Sequence, residues 1–139
     1  MTYATQQNMI DRFGTQELIE LTDRSNLGVI NTAALAVALN DADDEIDGYL
    51  AGVCVLPIVN VPDRLVKLAA DIARYELYGA NVTEQVRARY TDAISYLKQV
   101  VIGTASLGLD ATNNTAPEVG GVGMSATRPV FSACTLSDY

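Results

Sequence analysis

The strongest constraint on this chain is a spacing. Leu35, Ala38, Leu39, Ala42, Ile46, Tyr49 and Leu50 follow one another largely at three- and four-residue steps. At 100° per residue they fall within an arc of roughly 120°, the core stripe of an amphipathic helix. A strand cannot use this pattern, because its side chains alternate every second residue. Asn31 is placed to cap a helix over residues 32–51, and Gly52 to close it. The spacing returns twice. Leu65, Leu68, Ala69, Ile72 and Ala73 mark a helix over 63–78, entered through Pro62 and ended at Gly79. Val86, Tyr90, Ala93, Ile94, Leu97, Val100 and Val101 mark another over 83–102, ended at Gly103. Asn81 and Glu84 form a capping box at its start.

Two shorter helices precede these. Thr5 caps a segment running to Phe13 and closed by Gly14, and Thr15 caps Gln16 to Leu21. Residues 53–62 break the helical period. They are rich in valine, and Pro57 and Pro62 each disfavour helix for the residue before them. This stretch reads as an extended connector or a short edge strand.

Residues 104–139 differ in kind. Thr, Ser, Gly and Asn dominate and no helical period survives. Such a segment cannot bury enough apolar surface to fold alone. Its anchors are Arg128, Val130, Phe131, Leu136 and Tyr139. Spaced anchors in a polar tail fit a segment that orders on a partner, and plain disorder is the other reading. The expected fold is therefore mainly α. A helical bundle of three longer amphipathic helices and two short N-terminal ones occupies 1–103, and an extended, partner-docking tail occupies 104–139.

Composition narrows the function. The 139 residues suit one domain, and 49% hydrophobic content supports a packed core. Nine Lys and Arg face 17 Asp and Glu, a net charge of −8, which makes coating of phosphate backbones a poor use of this surface. There is no His. That removes Ser-His-Asp triads, Cys-His dyads and His-ligated zinc. Cys54 and Cys134 have neither metal-ligand nor framework spacing and read as unpaired thiols of a reducing compartment. The start lacks a basic region followed by an apolar run, and no apolar run is long enough to span a bilayer. A cytoplasmic site of synthesis and no membrane partner are the expectation.

Three groups of residues carry candidate roles. Asp41, Asp43, Asp44, Glu45 and Asp47 crowd one helix. They read as a carboxylate site, a solvated face, or a contact with another subunit. The contact reading has a counterpart, because Arg64, Lys67 and Arg74 form a basic row on the next helix. Asp43, Asp44, Asp47, Arg64, Lys67 and Arg74 are therefore candidate subunit-interface residues. A hydrolase using Asp43, Asp44 and Asp47 would need these carboxylates to converge, and acids spread around one helix diverge. Asp23, Ser25 and Gly28 faintly match a calcium loop, but Leu27 and Ala34 stand where oxygen ligands are required, so a polar turn is expected. No phosphate loop, dinucleotide fingerprint or nucleophile elbow occurs, and the chain is expected to have no catalytic, cofactor or metal site.

Several short motifs resemble one family in order and spacing. They are Met1-Thr2-Tyr3-Ala4-Thr5-Gln6-Gln7, Met9-Ile10-Asp11-Arg12-Phe13-Gly14, Leu21-Thr22-Asp23-Arg24, Glu45-Ile46-Asp47-Gly48-Tyr49-Leu50-Ala51-Gly52, Leu56-Pro57, Ala70-Asp71-Ile72-Ala73-Arg74-Tyr75-Glu76-Leu77-Tyr78-Gly79 and Arg128-Pro129-Val130-Phe131-Ser132. Together they resemble a Mu-type phage and prophage family, encoded among head genes and related to head–tail connector (adaptor) proteins. The resemblance implies a structural virion protein of the neck, assembled in the bacterial cytoplasm. Such adaptors form a homo-oligomeric ring, commonly of twelve copies, beneath the portal protein. Their C-terminal tails dock on the portal, the ring receives a stopper or tail-completion protein, and double-stranded DNA passes through without being read. The competing reading is a monomeric helical regulatory or binding module of a prophage or host.

Overall fold

The computed structural model describes residues 2–109. In order, these form α1 (Gln6–Phe13), α2 (Thr15–Thr22), α3 (Thr32–Leu50), α4 (Asp63–Tyr78), a 3-10 turn (Gly79–Asn81) and α5 (Glu84–Ile102). No strand occurs among the described residues, so the connector at 53–62 runs as turns and bends rather than as an edge strand. The Leu56–Pro57 peptide bond within it is cis.

The caps explain where the helices begin. Thr5 accepts the Asn8 N–H, and Asn8 Oδ1 accepts the Thr5 N–H at 2.8 Å, a reciprocal capping box. Ala4 before the cap and Met9 after it are both fully buried, which staples the entry of α1 to the core. Asn31 caps α3 as expected, accepting from Ala33 and Ala34. Gly103 closes α5 in the left-handed region, and Thr104 N–H reaches back to the Gln99 carbonyl at 2.9 Å.

Three expected boundaries shift, and one cysteine differs in state. Thr15 is the first residue of α2 rather than its cap, because Gly14 serves both helices with φ 87° and ψ 153°. α3 ends one residue early, with Ala51 rather than Gly52 at its cap. The cap of α5 is Thr83, which accepts from Val86, whereas Asn81 is used by the 3-10 turn. Cys54 is buried but disulfide-bonded, not a free thiol. A disulfide requires only that two Cα atoms approach within about 7 Å, which sequence separation does not reveal. Cys134 lies outside the described residues.

The core follows the spacing. α3 packs chiefly on α4, α4 on α5, and α3 less extensively on α5, while α1 and α2 cover α3 and α4. Leu35, Ala38, Leu39, Ala42, Ile46 and Leu50 are buried from α3, and Leu65, Leu68, Ala69, Ile72 and Ala73 from α4. Tyr49, Tyr90 and Ile94 are half-buried against them. Val101, expected inside, is 42% exposed, because α5 reaches the edge of the bundle in its last turn. The chain remains packed beyond Gly103. Leu107 and Leu109 are buried, and the Tyr96 hydroxyl donates to the Ser106 carbonyl at 2.5 Å.

Candidate functional site

The acidic run on α3 does not behave as one face. Helical geometry puts Asp43 on the same side as Leu39, Ile46 and Leu50, so it is carried into the core. It is 3% exposed. Its Oδ1 accepts the Tyr3 backbone N–H at 3.0 Å, and its Oδ2 has no hydrogen-bond partner. Desolvation raises its pKa, the Tyr3 N–H opposes that rise, and the charges of Asp47 and Asp44 add to it. Asp47 accepts from the Tyr3 hydroxyl, and Glu45 from the Tyr90 hydroxyl at 2.9 Å. Burial and these carboxylate partners raise the pKa of both phenols. Asp41 and Asp44 remain exposed on the outer side of α3. The acids thus diverge, three turned to structural partners and two to solvent.

The basic row divides as well. Arg74 is committed internally. Its Nε donates to Glu17 Oε1 at 2.6 Å, and its guanidinium lies 4.6 Å from the Phe13 ring centroid and 5.8 Å from that of Tyr78. The Tyr78 hydroxyl donates to the same carboxylate oxygen at 3.1 Å. This cluster ties α1 and α2 to α4. Arg64 and Lys67 are exposed, with Arg64 lying 4.9 Å over the Tyr96 ring.

Arg64 and Lys67 border a cleft of about 830 Å³ between α4 and α5. Arg12, delivered by α1, and Arg89, from α5, complete its basic lining. Asp71 is 6% exposed in the lining, 3.9 Å from Arg89. Asp71 shares its side of α4 with Arg64, Lys67 and Arg74, yet it is buried where α5 packs beside α4. Desolvation raises its pKa, and Arg89, Lys67 and Arg12 pull in the other direction. Asp63 and Asp92 stand at the exposed margin. Among the described residues, Arg12, Arg64 and Lys67 form no ion pair with a carboxylate.

The loop at Asp23 is the expected polar turn. Its carboxylate accepts from Ser25 and Gly28 N–H groups, and backbone hydrogen bonds from Leu27, Gly28, Ser25 and Asn26 lower its pKa. Those bonds occupy the oxygens that a cation would need. Among the described residues, no group of three or more His, Cys, Asp or Glu could hold a metal ion, and no helix is long and apolar enough to cross a membrane. The tail anchors Arg128, Val130, Phe131, Leu136 and Tyr139 lie outside the described residues. What the geometry offers is charge recognition across an open cleft.

Sequence reasoning did not single out Tyr3, Asp71, Arg12 or Arg89. The signal for Asp43 was present but overridden by its type: it stands four residues after Leu39 and three before Ile46, on the buried side of α3. Arg12 and Arg89 carried no such signal, because only the packing of α1 and α5 beside α4 assembles them.

Comparison with known proteins adds lineage to this geometry. Residues 3–126 match the family model described as "Bacteriophage Mu, Gp36". The chain is 33% identical over 137 residues to the Mu-like prophage FluMu protein gp36 of Haemophilus influenzae, covering 99% of this chain and 97% of that one. It is 34% identical over 134 residues to gene product J of Escherichia phage Mu, covering 95% of each.

Proposed function

The chain belongs to the bacteriophage Mu Gp36 family, and on that premise we propose that it is a structural protein of the virion neck, a head–tail connector. In this reading, copies form a ring between the portal protein and the stopper or tail-completion protein. The tail anchors Arg128, Val130, Phe131, Leu136 and Tyr139 dock on the portal, and DNA passes through the lumen. The observation that carries the reading is the similarity to Mu-type phage proteins along nearly the whole chain. The structure supports it in two ways. A rigid helical bundle with charge-bearing faces suits a part that is stacked and held in register. A net charge of −8 discourages adhesion to the DNA it would surround.

The test is to label the chain with a small epitope in Mu-type particles and image the particles with gold-conjugated antibody. Label at the junction of head and tail is expected. Particles without label, or label at the capsid faces or tail tip, would refute the reading. A second experiment addresses the tail. Deleting residues 110–139 spares Leu107 and Leu109 in the core but removes Cys134, the chain's other cysteine, so circular dichroism first verifies the fold, and loss of co-purification with portal protein is then expected. Undiminished portal binding removes the tail from the docking role.

A further inference from the structure

Bases are scarce in this chain and acids plentiful, 9 against 17. Four of the nine bases nevertheless line one cleft, against three carboxylates, of which Asp71 is buried. Three of the four, Arg12, Arg64 and Lys67, pair with no carboxylate among the described residues. The cleft is thus a local excess of unpaired positive charge on an acidic molecule.

A complementary surface exists on the same chain. Val37, Asp41, Asp44 and Gly48 are all exposed and follow one another at four, three and four residues, so they form a single outward stripe of α3. Asp41 and Asp44 are separated by one step of three, as are Arg64 and Lys67 on α4. At 1.5 Å rise per residue both pairs span about 4.5 Å along their axes, so two such helices laid together match charge for charge. Val37 is 60% exposed, an apolar side chain left without cover.

Gly48 supplies an independent observation. It sits inside α3, where glycine weakens a helix. A Cβ built there meets nothing within 4 Å, so the chain's own packing does not require its absence. Glycine at an exposed helical position is useful when another backbone or a bulky side chain approaches from outside.

We propose that the α4–α5 cleft receives the outward stripe of α3 from a second copy of this chain, with Asp41 and Asp44 of the incoming copy meeting Arg64 and Lys67 and Gly48 giving the close approach. This deepens the ring reading and rests on it. The two surfaces are different patches of one molecule, so the contact is head to tail. A joined pair then keeps one free stripe and one free cleft for further neighbours, which yields rings or filaments rather than a closed dimer. The placement differs from the interface expected from sequence. Asp43 and Arg74 are held within the fold, Asp47 is half-buried against Tyr3, and Asp41, Arg12 and Arg89 enter.

The experiment uses the full chain and three variants, followed by analytical ultracentrifugation across a concentration series, with circular dichroism to verify folding. Arg64→Glu with Lys67→Glu, and separately Asp41→Lys with Asp44→Lys, each replace attraction by repulsion. Each is expected to weaken self-association roughly tenfold or more. Mixing the two variants restores opposite charge at both kinds of contact, intact stripe on intact cleft and reversed stripe on reversed cleft, so assembly is expected to return in the mixture. Gly48→Leu is expected to keep or raise the melting temperature while abolishing assembly. Three results overturn the proposal: assembly that ignores both charge reversals, a mixture that stays monomeric, or a wild-type chain that is monomeric at every concentration. None of these touches the neck assignment, which gold labelling of particles decides separately.

Discussion

Replacing Arg74 by alanine separates a structural role from an interface role for this residue. Its side chain is 13% exposed, and that of Glu17 is 25% exposed, so solvent screens the pair only in part. The substitution deletes a charge-assisted hydrogen bond, worth about 1.5–3 kcal/mol. It also deletes contacts with the Phe13 and Tyr78 rings, worth about 0.5–2 kcal/mol together. Discounting for partial exposure, Arg74→Ala is expected to cost roughly 2–4 kcal/mol. For a domain of this size each kcal/mol moves the melting temperature by about 4 °C, so a fall of roughly 8–16 °C is expected. Thermal unfolding of the full chain, followed by far-ultraviolet circular dichroism, reads this directly. Arg74→Lys should fall between, because an ammonium keeps charge but not the planar stacking face. A double-mutant cycle with Glu17→Gln should return a coupling of about 1 kcal/mol or more. A melting temperature for Arg74→Ala within about 2 °C of wild type would refute the argument, and Arg74 would then be a surface residue available to a neighbour.

Three other expectations follow from the same packing. Ile72 is fully buried at the centre of α4, so Ile72→Ala should cost about 2–5 kcal/mol in urea unfolding, and a loss below 1 kcal/mol would show that the site is less tightly packed. Asp43 has a raised folded pKa, so the folded state holds its proton more tightly than the unfolded chain does. Its contribution to stability is greatest below the ordinary value of 3.8 and is lost as pH rises through the folded value. Asp43→Asn keeps an acceptor for the Tyr3 N–H and should gain melting temperature over wild type near neutral pH, with the gain shrinking towards pH 4; a difference independent of pH would contradict this. Gly14 occupies a backbone region that side chains avoid, so Gly14→Ala should cost about 1–3 kcal/mol, as read by chemical denaturation, although open space surrounds the position.

Sequence and structure agree where periodicity is long and part where the decision is local or tertiary. The stripe from Leu35 to Leu50 was legible because seven apolar positions over sixteen residues leave one consistent face. Caps at Thr5 and Asn31 were legible from residue type and position, whereas the expected cap Asn81 is taken by the 3-10 turn and Thr83 caps α5 instead. The cleft was half legible. Arg64 and Lys67 share a helix and announce themselves by spacing, but Arg12 lies over fifty residues upstream and Arg89 over twenty downstream. Their convergence depends on two helix-packing angles that no local pattern encodes. Asp43 and Asp71 show the opposite failure. An acid is expected outside by type, yet its position on the helix puts it inside, and position won because neighbouring apolar side chains dominate the burial of the face.

The joint at Gly14 joins two functions that would otherwise be separate. α1 and α2 share this one residue, with no linker between them, so the angle at which α1 leaves α2 depends on one pair of dihedral angles. The same short helix holds Met9 in the core and carries Arg12 to the cleft. One inserted residue would turn α1 by about 100° about its axis and take both side chains from their places together. The joint therefore acts as a gear without play. The fourth positive charge of the cleft is present only when the N-terminal helix is fully seated, so a molecule with a frayed start presents a weaker cleft than a completely folded one.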